Sequence, residues 1–186
     1  FASWPVGDIH VSSNKIIPNG RRDDFEHNVH YAWLQSELTT TAGELAQRIR
    51  TRSQQRQRLR NVQIHFQAVD DWVGLARKSD TPLLLRRALL DLSKEHVDKA
   101  AKEVGKLSDG TEEHHFALSR LDELSNDVRT FNEMVENCDQ SDIAMFSKAT
   151  EKALLKALKV VLSNARSAKV GTKTALDILA AVTGSH

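Results

Sequence analysis

An aromatic residue returns along this chain at a near-constant interval. Tyr31 sits in Val-His-Tyr-Ala-Trp-Leu, and Phe66, 35 residues on, in Ile-His-Phe-Gln-Ala-Val. Phe131 follows after a further 65 residues in Arg-Thr-Phe-Asn-Glu-Met-Val, a gap of two steps with an unmarked copy near Val97–Val104. An interval in the low-to-mid thirties belongs to stacked helix pairs, in which no single pair can bury its own apolar face. Such stacks bind partners more often than they catalyse.

Punctuation supports the helical reading. Three prolines and eight glycines leave few turns for 186 residues, and few segments alternate apolar and polar side chains, so the expected class is all-α. Ser79-Asp80, Ser108-Asp109 and Ser141-Asp142 each precede an apolar-periodic run, as helix caps do. Asp23-Asp24 stands before Phe25, Val29 and Trp33, and Thr39-Thr40-Thr41 with Glu44 has capping-box spacing. Each marked aromatic precedes one of these starts by ten to thirteen residues. The pattern predicts an α-solenoid of four antiparallel helical hairpins at 24–57, 61–94, 95–125 and 127–160, then a terminal helix over 172–183. Residues 1–22 hold Pro5, Pro18, Gly7 and Gly20 without helical periodicity, and read as an extended N-terminal arm before a helical-repeat domain at 23–186. Trp4 and Ile9 would give the arm an apolar grip on a partner.

The formal net charge is only +1, but it is distributed in blocks. Residues 1–60 carry nine Lys/Arg against six Asp/Glu, 108–142 two against ten, and 143–186 seven against two. Such segregation suits docking between partners of different charge, or the packing of acidic helices on basic ones within the chain. The sharpest feature is Arg48, Arg52, Arg56 and Arg60 at i, i+4 spacing, with no acidic residue between Leu45 and Val69. Guanidinium forks at that spacing suit phosphates or a carboxylate-rich surface. No aromatic interrupts the run, as single-strand stacking would require. Lys148, Lys152, Lys156 and Lys159 form a second stripe opposite Leu154, Leu155, Leu158 and Leu162, the pattern of a helix packing its leucines inward.

Chemistry finds little foothold. Cys138 is the single cysteine, so no internal disulfide can form and a reducing compartment is expected. His27 and His30 stand at i, i+3, not at the i, i+4 of a zincin helix, and the adjacent His114 and His115 diverge. Asp70 and Asp71 are neighbours on a helix and cannot by themselves form a carboxylate pair. The expectation is a non-catalytic protein with no cofactor, no metal and no transmembrane segment.

Val128-Arg129-Thr130-Phe131-Asn132-Glu133-Met134-Val135-Glu136-Asn137-Cys138 resembles the first helix of a pentatricopeptide repeat, with an arginine inserted between the family's valine and threonine. His65–Val69 and His30–Leu34 resemble it more loosely. The resemblance implies helical hairpins and, in most members, reading of single-stranded RNA through the second residue after the aromatic. Those positions are Trp33, Ala68 and Glu133, none of which is a small hydrogen-bonding side chain. Among pentatricopeptide-like proteins that do not read RNA, the chain is similar in length and helical content to the accessory subunits on the catalytic head of euglenozoan mitochondrial ATP synthase. That resemblance implies protein subunits of a mitochondrial assembly as partners, a matrix-side location and no nucleic acid. Phe1-Ala2-Ser3 resembles the end left by removal of a mitochondrial presequence. The alternative expectation is a mitochondrial RNA-binding protein of the same repeat type.

Overall fold

A computed structural model describes residues 7–137 and 146–183. Among them the chain is all-α, with five helices: α1 (Val29–Ala76), α2 (Leu83–Val104), α3 (Glu112–Glu136), α4 (Lys148–Asn164) and α5 (Ala168–Thr183). Trp4, Cys138 and the Ser141-Asp142 pair lie outside the described residues. The chain divides into two compact units, Phe1–Ser53 and Gln54–His186.

In the first unit a short turn precedes the helix. Asn19 accepts from the Arg21 amide through its side chain (3.1 Å) and donates to Asp23 Oδ1 (2.8 Å). Arg22 is left-handed there, at φ 59°. Pro18 and Phe25 form an isolated antiparallel bridge, with the Glu26 amide donating to the Ile17 carbonyl at 2.8 Å. Asp23 and Asp24 are therefore spent on the turn, and the cap of α1 is Asn28. Its Oδ1 accepts from the Tyr31 amide at 2.9 Å, while its Nδ2 donates to the Lys15 carbonyl at 3.0 Å. One amide thus serves both the helix start and the preceding segment.

The expected break at Thr39–Thr41 does not occur, and neither does the joint expected between 57 and 61. α1 runs unbroken for 48 residues. Thr39 and Thr40 turn their hydroxyls back onto the carbonyls of Gln35 (2.8 Å) and Ser36 (3.0 Å), which satisfies the side chains inside the helix instead of capping a new one. From Glu44 to Trp72 no glycine or proline interrupts, and arginine and glutamine are good helix formers. Tyr31 and Phe66 consequently lie on the same helix, not on successive hairpins. The joint expected near 94–95 falls inside α2, and that near 125–127 inside α3. Val128–Glu136 forms the end of α3 and does not open a helix.

The second unit holds the core. Leu59, Val62, Phe66, Val69, Val73 and Ala76 recur at three- and four-residue steps along α1, the spacing of a buried helix seam. Val62, Phe66, Val69 and Val73 pack with Ala100 and Val104 of α2 and with Ala117, Leu124 and Val128 of α3. A second cluster gathers Trp72 and Ala76 with Leu85, Leu89 and Leu92 of α2, Leu158 and Leu162 of α4, and Ala175 and Leu179 of α5. α2 packs against both α3 and α4, and α4 against α5. That central place explains why the run Leu83–Leu92 is apolar on nearly every side. Of the lysine stripe on α4, Lys148, Lys152 and Lys156 are exposed while Lys159 is half-buried against Glu95 and Asp91; of the leucines, Leu158 and Leu162 are buried and Leu154 and Leu155 half-buried.

α2 and α3 start three residues beyond Asp80 and Asp109. The turn after α1 is closed by Thr81, whose hydroxyl donates to the Leu75 carbonyl at 2.9 Å, and by Arg86, which reaches the Lys78 and Ser79 carbonyls. Thr111 caps α3 by accepting from the His114 amide (3.2 Å), with Glu112 and Glu113 favourably placed in the first turn. Ser147 caps α4 by accepting from the Thr150 amide at 3.2 Å. Where α4 turns into α5, Gly171 is buried so closely that a Cβ on it would stand 2.8 Å from that of Ala165.

Candidate interaction surfaces

The four arginines singled out by spacing all lie on α1 and are all exposed: Arg48 and Arg52 in the first unit, Arg56 and Arg60 in the second. Arg48 has Glu44 at 4.0 Å, a long contact between two well-solvated side chains that contributes little. Arg58, between them in sequence, is half-buried and donates to the Lys106 carbonyl. Apolar side chains accompany the arginines. Leu45 is 45% exposed, Ile49 36% and Trp33 63%. Every buried residue of α1 lies between Val62 and Ala76, so the helix as far as Asn61 buries no side chain fully.

Ile9 is exposed and lines an open groove of about 620 Å3 with Val11, Phe25, Tyr31, Leu34 and Leu38. The groove floor is organised by Asp24, which accepts from its neighbouring Phe25 amide (2.8 Å) and from the Tyr31 hydroxyl (3.0 Å). Those two bonds hold the Asp24 carboxyl below its usual range, and Asp24 in turn raises the Tyr31 phenol.

In the second unit, several ion pairs join the helices. Arg120 reaches both oxygens of Asp70 at 2.9 Å and also Glu123, and Arg77 pairs with Asp127 at 3.2 Å while lying over the Phe131 ring. Arg87 meets Glu151 at 2.6 Å between α2 and α4, and Lys159 meets Glu95 at 2.6 Å. Apart from Arg120–Glu123 within α3, each of these pairs joins α3 or α4 to the end of α1 or to α2, and none of them joins the acidic stretch 108–142 to the basic stretch 143–186. Asp70 accepts from Arg120 and Asp71 from Gln67. Among the described residues no group of three His, Cys, Asp or Glu side chains could hold a metal ion. Ala68, a position that would read a base in the resembled family, is half-buried against the core.

Sequence reasoning missed two features. His65 and His96, 31 residues apart, meet across α1 and α2 with Nδ1 atoms 3.2 Å apart. Burial first, and Lys99 second, lower the pKa of both imidazoles. Phe116, 73% exposed on α3, stands at a smaller groove with Leu59, Val62, Phe66 and the carboxylates of Glu112 and Glu113. No local pattern announces a contact between distant helices, although the apolar seam around His65 marks it as inward-facing.

No helix among the described residues is long and apolar enough to cross a membrane. Comparison with protein-family models, with curated proteins and with solved structures finds no match.

Proposed function

We propose that this chain is a non-catalytic helical subunit of a larger protein assembly, held there through α1. The observation that carries the reading is a helix of 48 residues whose fully buried side chains begin only at Val62. Intrinsic propensity alone gives little stability to a helix in water, and most helical stability comes from a packed face. Exposed Trp33, Leu45 and Ile49 are the side chains a neighbouring subunit would cover. The likeness of Val128–Cys138 to a pentatricopeptide helix is a likeness of sequence alone, since the expected hairpin joints fall inside helices, and it suggests a finer version of the proposal: attachment to the catalytic head of the mitochondrial ATP synthase on the matrix side. Affinity capture of the tagged chain from mitochondria, followed by native electrophoresis and mass spectrometry, tests it. Co-migration with the catalytic-head subunits is expected. A chain that migrates alone, with no protein partner retained, overturns it.

The exposed arginines favour one second reading, binding of RNA. It predicts affinity for single-stranded RNA that falls steeply with salt. A flat salt response or negligible binding at low salt ends that reading.

A further inference from the structure

The first unit by itself contains a helix face that is half covered and half bare. Tyr31, Leu34 and Leu38, at steps of three and four, are half-buried along the groove beneath Ile9, Val11 and Phe25. The same steps continue to Thr41, Leu45, Arg48 and Arg52, and all four are exposed. Ile49 flanks them. Residues separated by three and four positions share a helix face, so the bare stretch is the direct continuation of the covered one. Its composition defines what fits. Leu45 and Ile49 give an apolar strip, and Arg48 and Arg52 place guanidinium groups beside it with Glu44 as the single nearby acid.

We infer that the Thr41–Arg52 face of α1 docks an acidic amphipathic helix of a partner protein. The inference rests on the reading of this chain as an assembly subunit and names the chemistry of its neighbour. Apolar residues of that helix lie on Leu45 and Ile49, and its carboxylates meet Arg48 and Arg52, each of which donates two parallel hydrogen bonds in the fork geometry that guanidinium favours. Charge complementarity decides against a basic or neutral partner helix. The apolar strip, and the absence of any aromatic from Leu34 to Phe66, decide against single-stranded nucleic acid, which needs stacking platforms. A helix laid into a seam by its i, i+3, i+4 anchors is a common mode of recognition.

The test uses the purified full-length chain and three probes: a synthetic Leu/Glu amphipathic peptide, its Leu/Lys counterpart, and oligouridylate. Fluorescence anisotropy should show binding of the Leu/Glu peptide only. R48E/R52E should weaken it at least about tenfold and give the Leu/Lys peptide measurable affinity. L45Q/I49Q should weaken the Leu/Glu peptide by about tenfold, because the strip contributes apolar burial as well as charge. Circular dichroism checks that these solvent-facing replacements leave the helix content intact. Equal binding of both peptides, insensitivity to either double variant, preferential binding of oligouridylate, or self-association abolished by L45Q/I49Q would each overturn the inference. Capture from mitochondria separates the two levels. If the wild-type chain and R48E/R52E retrieve the same assembly equally, the docking face is wrong and the subunit reading stands. If the peptide results hold and no assembly is retrieved, the face stands and the subunit reading falls.

Discussion

His65 and His96 oppose one another Nδ1 to Nδ1 at 3.2 Å, so a single proton serves both imidazoles where α1 meets α2. One added proton can sit on the outer Nε2 of the donating ring and leave the bond intact, but charging both rings removes the acceptor and sets two cations beside Lys99. Burial is the leading cause of the lowered pKa at both sites; Glu103 near His65 and Glu95 near His96 oppose it, and Glu95 is itself tied to Lys159. Both folded values lie below the 6.5 of a free imidazole. The unfolded chain therefore takes up protons first as the pH falls. Stability from this pair is complete above that value and drains away as the pH drops through the lower folded values. The urea midpoint should fall between about pH 7 and about pH 5, and the double variant H65Q/H96Q should flatten that slope. A wild-type midpoint constant over the range contradicts the arrangement.

Continuity of α1 through Thr39–Thr41 has a direct consequence. If the threonines sit inside a helix and not at a break, Thr39→Ala and Thr40→Ala should each stabilise it by roughly 0.5 kcal/mol through propensity. Slower amide exchange from Leu38 to Leu45 in the double variant would register this. A true turn there would give no slowing.

The close approach at Gly171 sets two effects against each other. Gly171→Ala gains up to about 1 kcal/mol of helix propensity in α5 but places a Cβ 2.8 Å from that of Ala165. Overpacking of this kind costs about 1–3 kcal/mol, so net destabilisation is expected. Removing the opposing methyl with Ala165→Gly should recover most of the loss in G171A. Non-additivity measured by denaturant unfolding is the decisive quantity.

Burial ranks the ion pairs. Arg87 and Glu151 are 24% and 22% exposed at 2.6 Å, whereas Arg120 and Asp70 are 36% and 43% exposed. A double-mutant cycle should give about 1–2 kcal/mol of coupling for the first pair and less than about 1 kcal/mol for the second. The reverse order would mean that solvent screening does not govern these contacts.

Local chemistry made part of this fold legible. The scarcity of proline and glycine pointed to the all-α class, the terminal helix expected over 172–183 lies within α5, and the leucines of α4 pointed to a buried face. Ser79-Asp80 and Ser108-Asp109 marked real loops, although the helices open later, at residues whose backbone the loop has already turned. The length of α1 was hidden because three threonines look alike whether they cap a helix or bond back into one; only the carbonyls they reach distinguish the cases. Asp23 and Asp24 misled in the same way, being absorbed by a turn whose hydrogen bonds span residues 17 to 26. The Tyr31–Phe66 interval had the right length for a repeat, yet nothing between the two forces the chain to reverse. Of the candidate surface, Arg48 and Arg52 were visible from spacing, whereas the bareness of Leu45 and Ile49 is a fact about what does not pack on them.

Asn28 carries a further consequence. Its side chain grips the Tyr31 amide with one atom and the Lys15 carbonyl with the other. A partner that draws the Lys15 backbone away takes one of the two anchors that orient this amide. The first turn of α1 is thereby tied, through a single side chain, to the backbone of the segment that leads into it.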